Sequence, residues 1–104
     1  MASTKDYLNY VLEQLSGLED ITYRMMMGEY LLYYKGKLFG GVYDNRLLVK
    51  PVDSAVSNMP DAPFEFPYEG AKPMLMVTDI EDRGFLKKLV ESMYSELPLP
   101  RKRK

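Results

Sequence analysis

The sequence contains no cysteine, no histidine and no tryptophan in its 104 residues. Without cysteine there is no disulfide framework, thiol nucleophile, iron–sulfur cluster or thiolate zinc site. Without histidine there is no Ser-His-Asp or Cys-His triad, no HExxH zinc motif and no haem proximal ligand. The usual proton shuttle at neutral pH is therefore missing. These absences predict a protein without catalytic residues, metal or cofactor.

Long apolar runs are also absent. No stretch approaches the roughly 18 apolar residues that span a bilayer. The N-terminal residues lead into an amphipathic pattern rather than a secretory signal. We therefore expect a cytoplasmic protein that makes no membrane contact. A chain of this length has room for one hydrophobic core, and either a monomer or a homodimer is compatible with it.

Positive charge is scarce outside the C-terminus. The chain has 14 basic and 15 acidic side chains and a formal charge of −1. Four of the basic side chains form the run Arg101-Lys102-Arg103-Lys104, so residues 1–100 carry a net charge of −5. We expect residues 1–100 to form a single domain and the basic tail to be disordered. The tail is a candidate for weak contact with nucleic acid.

Two amphipathic helices are predicted near the ends of the chain. Apolar residues recur at helical spacing over residues 4–16 and again, in a broader stripe, over residues 82–96. Thr78 or Asp79, with Glu81, predicts a capping box for the second of these helices. A short third helix is predicted between Pro51 and Pro60.

Short apolar runs separated by turn residues predict an antiparallel meander in the middle of the chain. Parallel strands would need much longer connections. The Gly40-Gly41 pair inside the third run indicates a bulge or the close approach of another backbone. The predicted strands are residues 22–27, 30–34, 38–43 and 46–50, and the turns are Gly28-Glu29, Lys35-Gly36 and Asp44-Asn45.

The remaining segment contains many helix and strand breakers. Residues 60–70 include three prolines and a glycine, which predicts an irregular excursion with a short extended piece at residues 64–68. Alternating aromatic side chains in that piece predict a face packed on the domain. Residues 73–77 predict a further strand. The order α-β-β-β-β-α-β(β)-α predicts a two-layer α+β fold, with an antiparallel sheet of five to six strands and helices on one face.

The run Met25-Met26-Met27 allows two interpretations. Thioethers bind soft metals and form adaptable partner-binding surfaces, whereas methionine also fills irregular gaps in cores. We favour core filling, because a copper site normally includes histidine or cysteine.

Tyrosine, lysine and arginine on the predicted strands suggest a contact surface. Tyrosines beside lysines resemble a stacking platform for nucleic acid, but the acidic domain and the strand propensity of tyrosine favour sheet packing. Arg24 and Arg46, which lie within apolar strands, either contact an anion or a partner, or they point into solvent or pair with Glu29 or Asp44. The candidate interaction surface comprises Arg24, Tyr30, Tyr33, Lys37 and Arg46.

Four blocks of the sequence resemble the TfoX/Sxy N-terminal domain family. That family shows an R-x-M-F-G-x-Y-x-L-Y block, a G-K-x-F hairpin, a strand ending L-x-x-K and a Y-E-x-x-x-K-x-M segment. Met27 replaces the phenylalanine that is common in the family and keeps that position apolar. The matching residues are Arg24-Met25-Met26-Met27-Gly28-Glu29-Tyr30-Leu31-Leu32-Tyr33, Gly36-Lys37-Leu38-Phe39, Asn45-Arg46-Leu47-Leu48-Val49-Lys50 and Tyr68-Glu69-Gly70-Ala71-Lys72-Pro73-Met74.

The resemblance implies a two-layer α+β fold and supplies no catalytic residues. The family is named for regulators of natural competence, which resemble this chain over their N-terminal half and carry a separate C-terminal helical domain. Our first hypothesis is a non-enzymatic regulatory or protein-interaction module whose partner is another protein. The alternative is a nucleic-acid-associated transcriptional regulator that uses the basic tail, and an enzyme ranks third.

Overall fold

A computed structural model describes residues 3–98 and confirms the predicted α+β fold and element order. The sheet has six strands, which is the larger of the two predicted numbers. The elements are α1 (Lys5–Gln14), β1 (Ile21–Met26), β2 (Glu29–Tyr34), β3 (Lys37–Val42), β4 (Leu47–Val49), α2 (Asp53–Asn58), β5 (Phe64–Glu65), β6 (Met74–Met76), α3 (Arg83–Met93) and a 3-10 turn (Tyr94–Glu96).

Three two-residue turns connect the first four strands. The central residues are Met27-Gly28, Lys35-Gly36 and Asp44-Asn45, and their φ angles all lie between 52° and 85°. Positive φ at both central positions defines the type I′ turn, whose twist matches that of the flanking strands. The second and third predicted turns are confirmed. The first was predicted at Gly28-Glu29 and lies one residue earlier, because Glu29 already pairs with Met26.

All strand pairs are antiparallel, in the order β1-β2-β3-β4-β6-β5. The chain leaves the sheet after β4, forms α2, and returns with β5 at the far edge and β6 between β4 and β5. The β2–β3 register shifts around Phe39, because Leu32 pairs with Gly40 and Tyr33 with Leu38. The bulge inserts one extra residue into β3. The side chains after it therefore point to the opposite face from the one that simple alternation along the strand would give.

One face of the sheet packs against the helices and forms the core. Phe39, Val42 and Val49 are fully buried there together with helix residues such as Leu8 and Leu89. Within residues 3–98, the opposite face carries no helix, and we call it the outer face. The core cluster includes Leu8, Val11, Leu15, Leu32, Phe39, Val42, Leu47, Val49, Leu75, Leu86, Leu89, Val90 and Met93.

At the start of each of the two long helices, a side chain accepts a hydrogen bond from a backbone N–H group. The Thr4 hydroxyl accepts from the Tyr7 N–H at 3.1 Å at the start of α1. At α3 the Asp82 carboxylate accepts from the Phe85 N–H at 3.0 Å. The predicted cap at Thr78 or Asp79 is therefore wrong, because Asp82 stands directly before the first helical residue and is the nearer acceptor.

The predicted packing of the aromatic segment is found only at Tyr68, whose ring centroid lies 6.4 Å from that of Tyr43. Phe64, Phe66 and Tyr68 are each between 55% and 59% exposed. Among the described residues of this segment, Phe64 and Glu65 pair with β6, at the last edge of the sheet. Within the described part of the chain, no helix is long and apolar enough to cross a membrane.

Candidate functional site

The structure does not bring the five predicted contact residues onto one surface. Tyr30 and Lys37 are buried on the helix side of the sheet. Arg24 is exposed on β1, and Tyr33 is half-buried on the outer face. Arg46 is partly buried just before β4. The basic tail, residues 101–104, lies outside the described residues, and so does the predicted domain end at residue 100.

Lys37 joins the sheet to the end of α3. Its ammonium donates to the Tyr94 carbonyl oxygen at 3.1 Å and lies 4.2 Å from the centroid of the Tyr94 ring. A cation is favourable beside the unpaired carbonyl groups at a helix C-terminus. Lys37 therefore holds two elements of the core together and is not presented to a partner.

Arg46 joins the end of β3 to the segment that contains β5. Its guanidinium forms an ion pair with Glu65 at 3.1 Å and donates to the carbonyl oxygens of Tyr43 and Phe66. The predicted partners, Glu29 and Asp44, are wrong, because β5 returns to the sheet on the Arg46 side. The Glu29 carboxylate instead accepts from the Ser3 hydroxyl and the Asp44 N–H.

Exposed apolar side chains lie along the first edge of the sheet. We call Tyr23, Met25 and Met27 the edge patch; they are 42%, 65% and 94% exposed. The prediction that the methionine run fills core gaps is therefore wrong. Met25 pairs with Tyr30 at the sheet edge, and Met27 lies in the type I′ turn. Within residues 3–98, no second strand pairs with the free edge of β1.

A cleft of about 510 Å³ lies on the outer face of the sheet, and we call it the outer cleft. Its floor is formed by β3 and by the residues on either side of β4. Its wall is the segment that leads from β5 to β6. The lining residues are Leu38, Gly40, Tyr43, Lys50, Pro51, Val52, Pro67, Tyr68, Ala71, Lys72, Pro73 and Met74.

Two glycines let neighbouring groups approach the sheet closely at this floor. A side chain at Gly40 would collide with the Leu48 carbonyl and come within 2.9 Å of the Val49 Cα. A side chain at Gly41 would meet the Tyr43 ring at 2.7 Å. The close backbone approach predicted from the Gly40-Gly41 pair is confirmed. The Tyr43 ring lies over Gly41 on the outer face.

The polar groups of the outer cleft are two lysines and two tyrosines. Burial raises the pKa of Tyr43 to about 12, with smaller contributions from Tyr68, Glu29 and Tyr33. Partial burial also lowers the pKa of Lys50. A positive group that is partly removed from water, in an otherwise apolar cleft, favours the approach of an anion.

The sequence indicated parts of this cleft but not its function. The glycine pair and the proline-rich excursion were recognised, whereas Lys50, Lys72 and Tyr43 were not chosen as site residues. They come from separate segments and meet only because the excursion folds back over the outer face.

A second depression, of about 810 Å³, is bordered by the loop before α3. Its lining consists of the consecutive residues 78–83, including Asp79, Glu81 and Asp82. Asp82 is already used as the cap of α3. No group of three or more acidic side chains within residues 3–98 is arranged to hold a metal ion. This depression is a helix boundary rather than a second site.

Comparisons with known proteins define the class. The family model of the TfoX N-terminal domain matches residues 13–96. The chain is also 31% identical, over its whole length and 91% of the relative's, to a Spirochaeta aurantia protein described as an "uncharacterized 12.7 kDa protein in trpE 5'region". No solved structure matches the chain. The chain belongs to the TfoX N-terminal domain family.

Proposed function

We propose that this chain is a non-enzymatic, cytoplasmic regulatory module that binds another protein through the β1 edge. The observation that supports this proposal is the coincidence of an unpaired strand edge with the edge patch. Soluble proteins normally protect long apolar edges, because free N–H and C=O groups pair readily with another chain. An edge that stays apolar and unprotected is therefore a candidate for strand addition by a partner.

The composition of the edge patch suits protein recognition. Methionine side chains are flexible and polarisable, so they adapt to a partner's apolar surface. Tyr23 adds an aromatic side chain of the kind that is enriched at interfaces. It packs edge-on against Tyr30 with ring centroids 5.9 Å apart, which holds it in place at the edge. Arg24 projects from the other face of β1 and stays the one predicted contact residue that is freely exposed.

Site-specific crosslinking in the source cell tests this proposal. A photoreactive residue would replace Met25, and a matched one would replace Val56, which is 41% exposed on α2. We expect the Met25 probe to capture a discrete protein that the Val56 probe does not capture. With that protein purified, the double change Met25→Lys and Met27→Lys should weaken binding at least tenfold, because it introduces desolvated charge at the edge.

Stability is the control for these changes. Because both methionines are exposed, their replacement should alter the free energy of unfolding by no more than about 0.5 kcal/mol. Identical crosslinks from both probes, or full binding by the double variant, would rule out the β1 edge. A measured turnover on any substrate would contradict the non-enzymatic proposal.

A further inference from the structure

The outer cleft has the size and the lining of a small-molecule site. Its volume of about 510 Å³ falls within the range of roughly 300–1,000 Å³ that ligand pockets occupy. Most of its lining is apolar, and only a few polar groups converge on it. The apolar walls are supplied by Leu38, Pro51, Val52, Pro67, Ala71, Pro73 and Met74.

The charge of the lining has one sign. Lys50 and Lys72 both border the cleft, and no acidic residue does. Among residues 3–98, neither ammonium group forms an ion pair or a hydrogen bond with the protein. Both lysines therefore stay unpaired within the described residues of a domain whose first 100 residues carry a net charge of −5. The local positive potential is therefore available to a ligand.

Tyr43 adds a hydrogen-bond donor to the cleft. The residue is 5% exposed and lines the cleft; within residues 3–98 its hydroxyl forms no hydrogen bond, and it is not among the buried atoms left without a partner, so it reaches the solvent of the cleft. A hydroxyl that opens into a cleft and has no protein partner is available to a ligand atom or a water. A phenol that stays protonated can donate to an anionic oxygen.

We propose that the outer cleft binds a small organic anion with an apolar body and a carboxylate or phosphate head. The head contacts Lys50, with Lys72 at the rim, and accepts from the Tyr43 hydroxyl. The apolar body lies against the prolines of the wall. The cleft is formed by β3, the flanks of β4 and the segment before β6, and β2 separates it from β1. The inference is independent of the proposed protein contact.

Titration of the full chain with defined probes tests this inference. Benzoate, phenyl phosphate and the neutral benzyl alcohol would be added while backbone amide NMR signals are followed. We expect saturable shifts at Gly40 and Ala71 with at least one of the two anions, and none at Gly17 on the helix side. Benzyl alcohol should bind at least about tenfold more weakly, because charge-assisted hydrogen bonds are stronger than neutral ones. The anion that binds more tightly, benzoate or phenyl phosphate, identifies the preferred head group.

Substitutions then assign the contacts. Lys50→Met and Tyr43→Phe should each weaken binding of the anion. The loss for Lys50→Met should be about tenfold. Lys88→Met, an exposed change on α3, should leave binding unchanged. Lys72→Met is exposed and is expected to fold normally, so it keeps the test valid if Lys50→Met unfolds. No saturable shift with either anion, or equal binding of the alcohol, would overturn the inference.

Discussion

Two lysines on either side of Gly36 have very different environments. Lys35 is exposed in the turn, with its ammonium 5.3 Å from the centroid of the Tyr34 ring. Lys37 is buried and donates to the Tyr94 carbonyl oxygen. Tyr34 and Lys37 pair across the turn, so their side chains share one face of the sheet, and this face is the one that packs against the helices. A residue's place in the register therefore decides whether its charge is solvated or used in packing.

This difference predicts unequal stabilities. Lys37→Met should lower the free energy of unfolding by about 1–2 kcal/mol, because it removes a charge-assisted hydrogen bond that joins the sheet to the end of α3. Lys35→Met should change it by no more than about 0.5 kcal/mol, because an exposed charge contributes little. Urea denaturation followed by circular dichroism measures both variants. Equal losses would show that the Lys37 contact does not stabilise the fold.

At the scale of elements, the start of α3 depends on one side chain. Asp82 accepts from the Phe85 N–H at 3.0 Å, and the preceding loop contains other acidic residues that make no such bond. Its negative charge also lies favourably beside the helix N-terminus. The position of the cap, rather than the abundance of acidic residues, sets where α3 begins.

Asp82→Ala should therefore lower the free energy of unfolding by about 1 kcal/mol, through the loss of the cap. Asp79→Ala is the matched control, because Asp79 lies three residues earlier and its side chain caps nothing. We expect the control to change stability by no more than about 0.5 kcal/mol. Thermal unfolding of the two variants measures the difference. A larger loss for Asp79→Ala would restore the capping box predicted from the sequence.

The element order was predictable because it depends on local signals. Turn residues and short apolar runs mark the hairpins, and prolines mark the ends of the helices. The covered face was not predictable, because β2 carries apolar side chains on both faces: Leu32 points to the core, and Leu31 lies opposite. The bulge at Phe39 then changes the alternation, so Val42 faces the core and Tyr43 faces the outer cleft. The hydrophobic periodicity alone reveals neither the covered face nor the bulge.

The candidate site was predictable only in part. Arg24 lies at an exposed position, whereas Tyr30 and Lys37 face the helices. The contacts that bury these residues join segments far apart in the chain, as in the bond from Lys37 to Tyr94. Such contacts follow from packing, which a single sequence does not specify.

At the scale of the whole molecule, the distribution of charge bears on the choice between protein binding and nucleic-acid binding. Residues 1–100 carry a net charge of −5, and the tail at residues 101–104 carries four positive charges. Phosphate binding depends on clustered positive charge. A nucleic-acid-associated regulator, the alternative function, would therefore have to use the tail, and this stays a prediction.

Replacement of the four tail residues by glutamine tests that alternative. If the tail binds nucleic acid, the replaced chain should lose low-salt affinity for duplex DNA and show a flatter dependence of binding on salt. Fluorescence anisotropy of a labelled duplex over a salt series measures both. No affinity in the unaltered chain would remove the alternative, and unchanged affinity after replacement would place the contact elsewhere.

The strand order also has a consequence for the order in which the chain folds. Strands β1 to β4 are joined by two-residue turns, so their pairing closes only short loops. Pairing of β6 with β4 closes a much longer loop, residues 50–73. Because longer loops cost more entropy to close and local contacts form sooner, we expect the four-strand meander to assemble first. The wall of the outer cleft would then close last and open first.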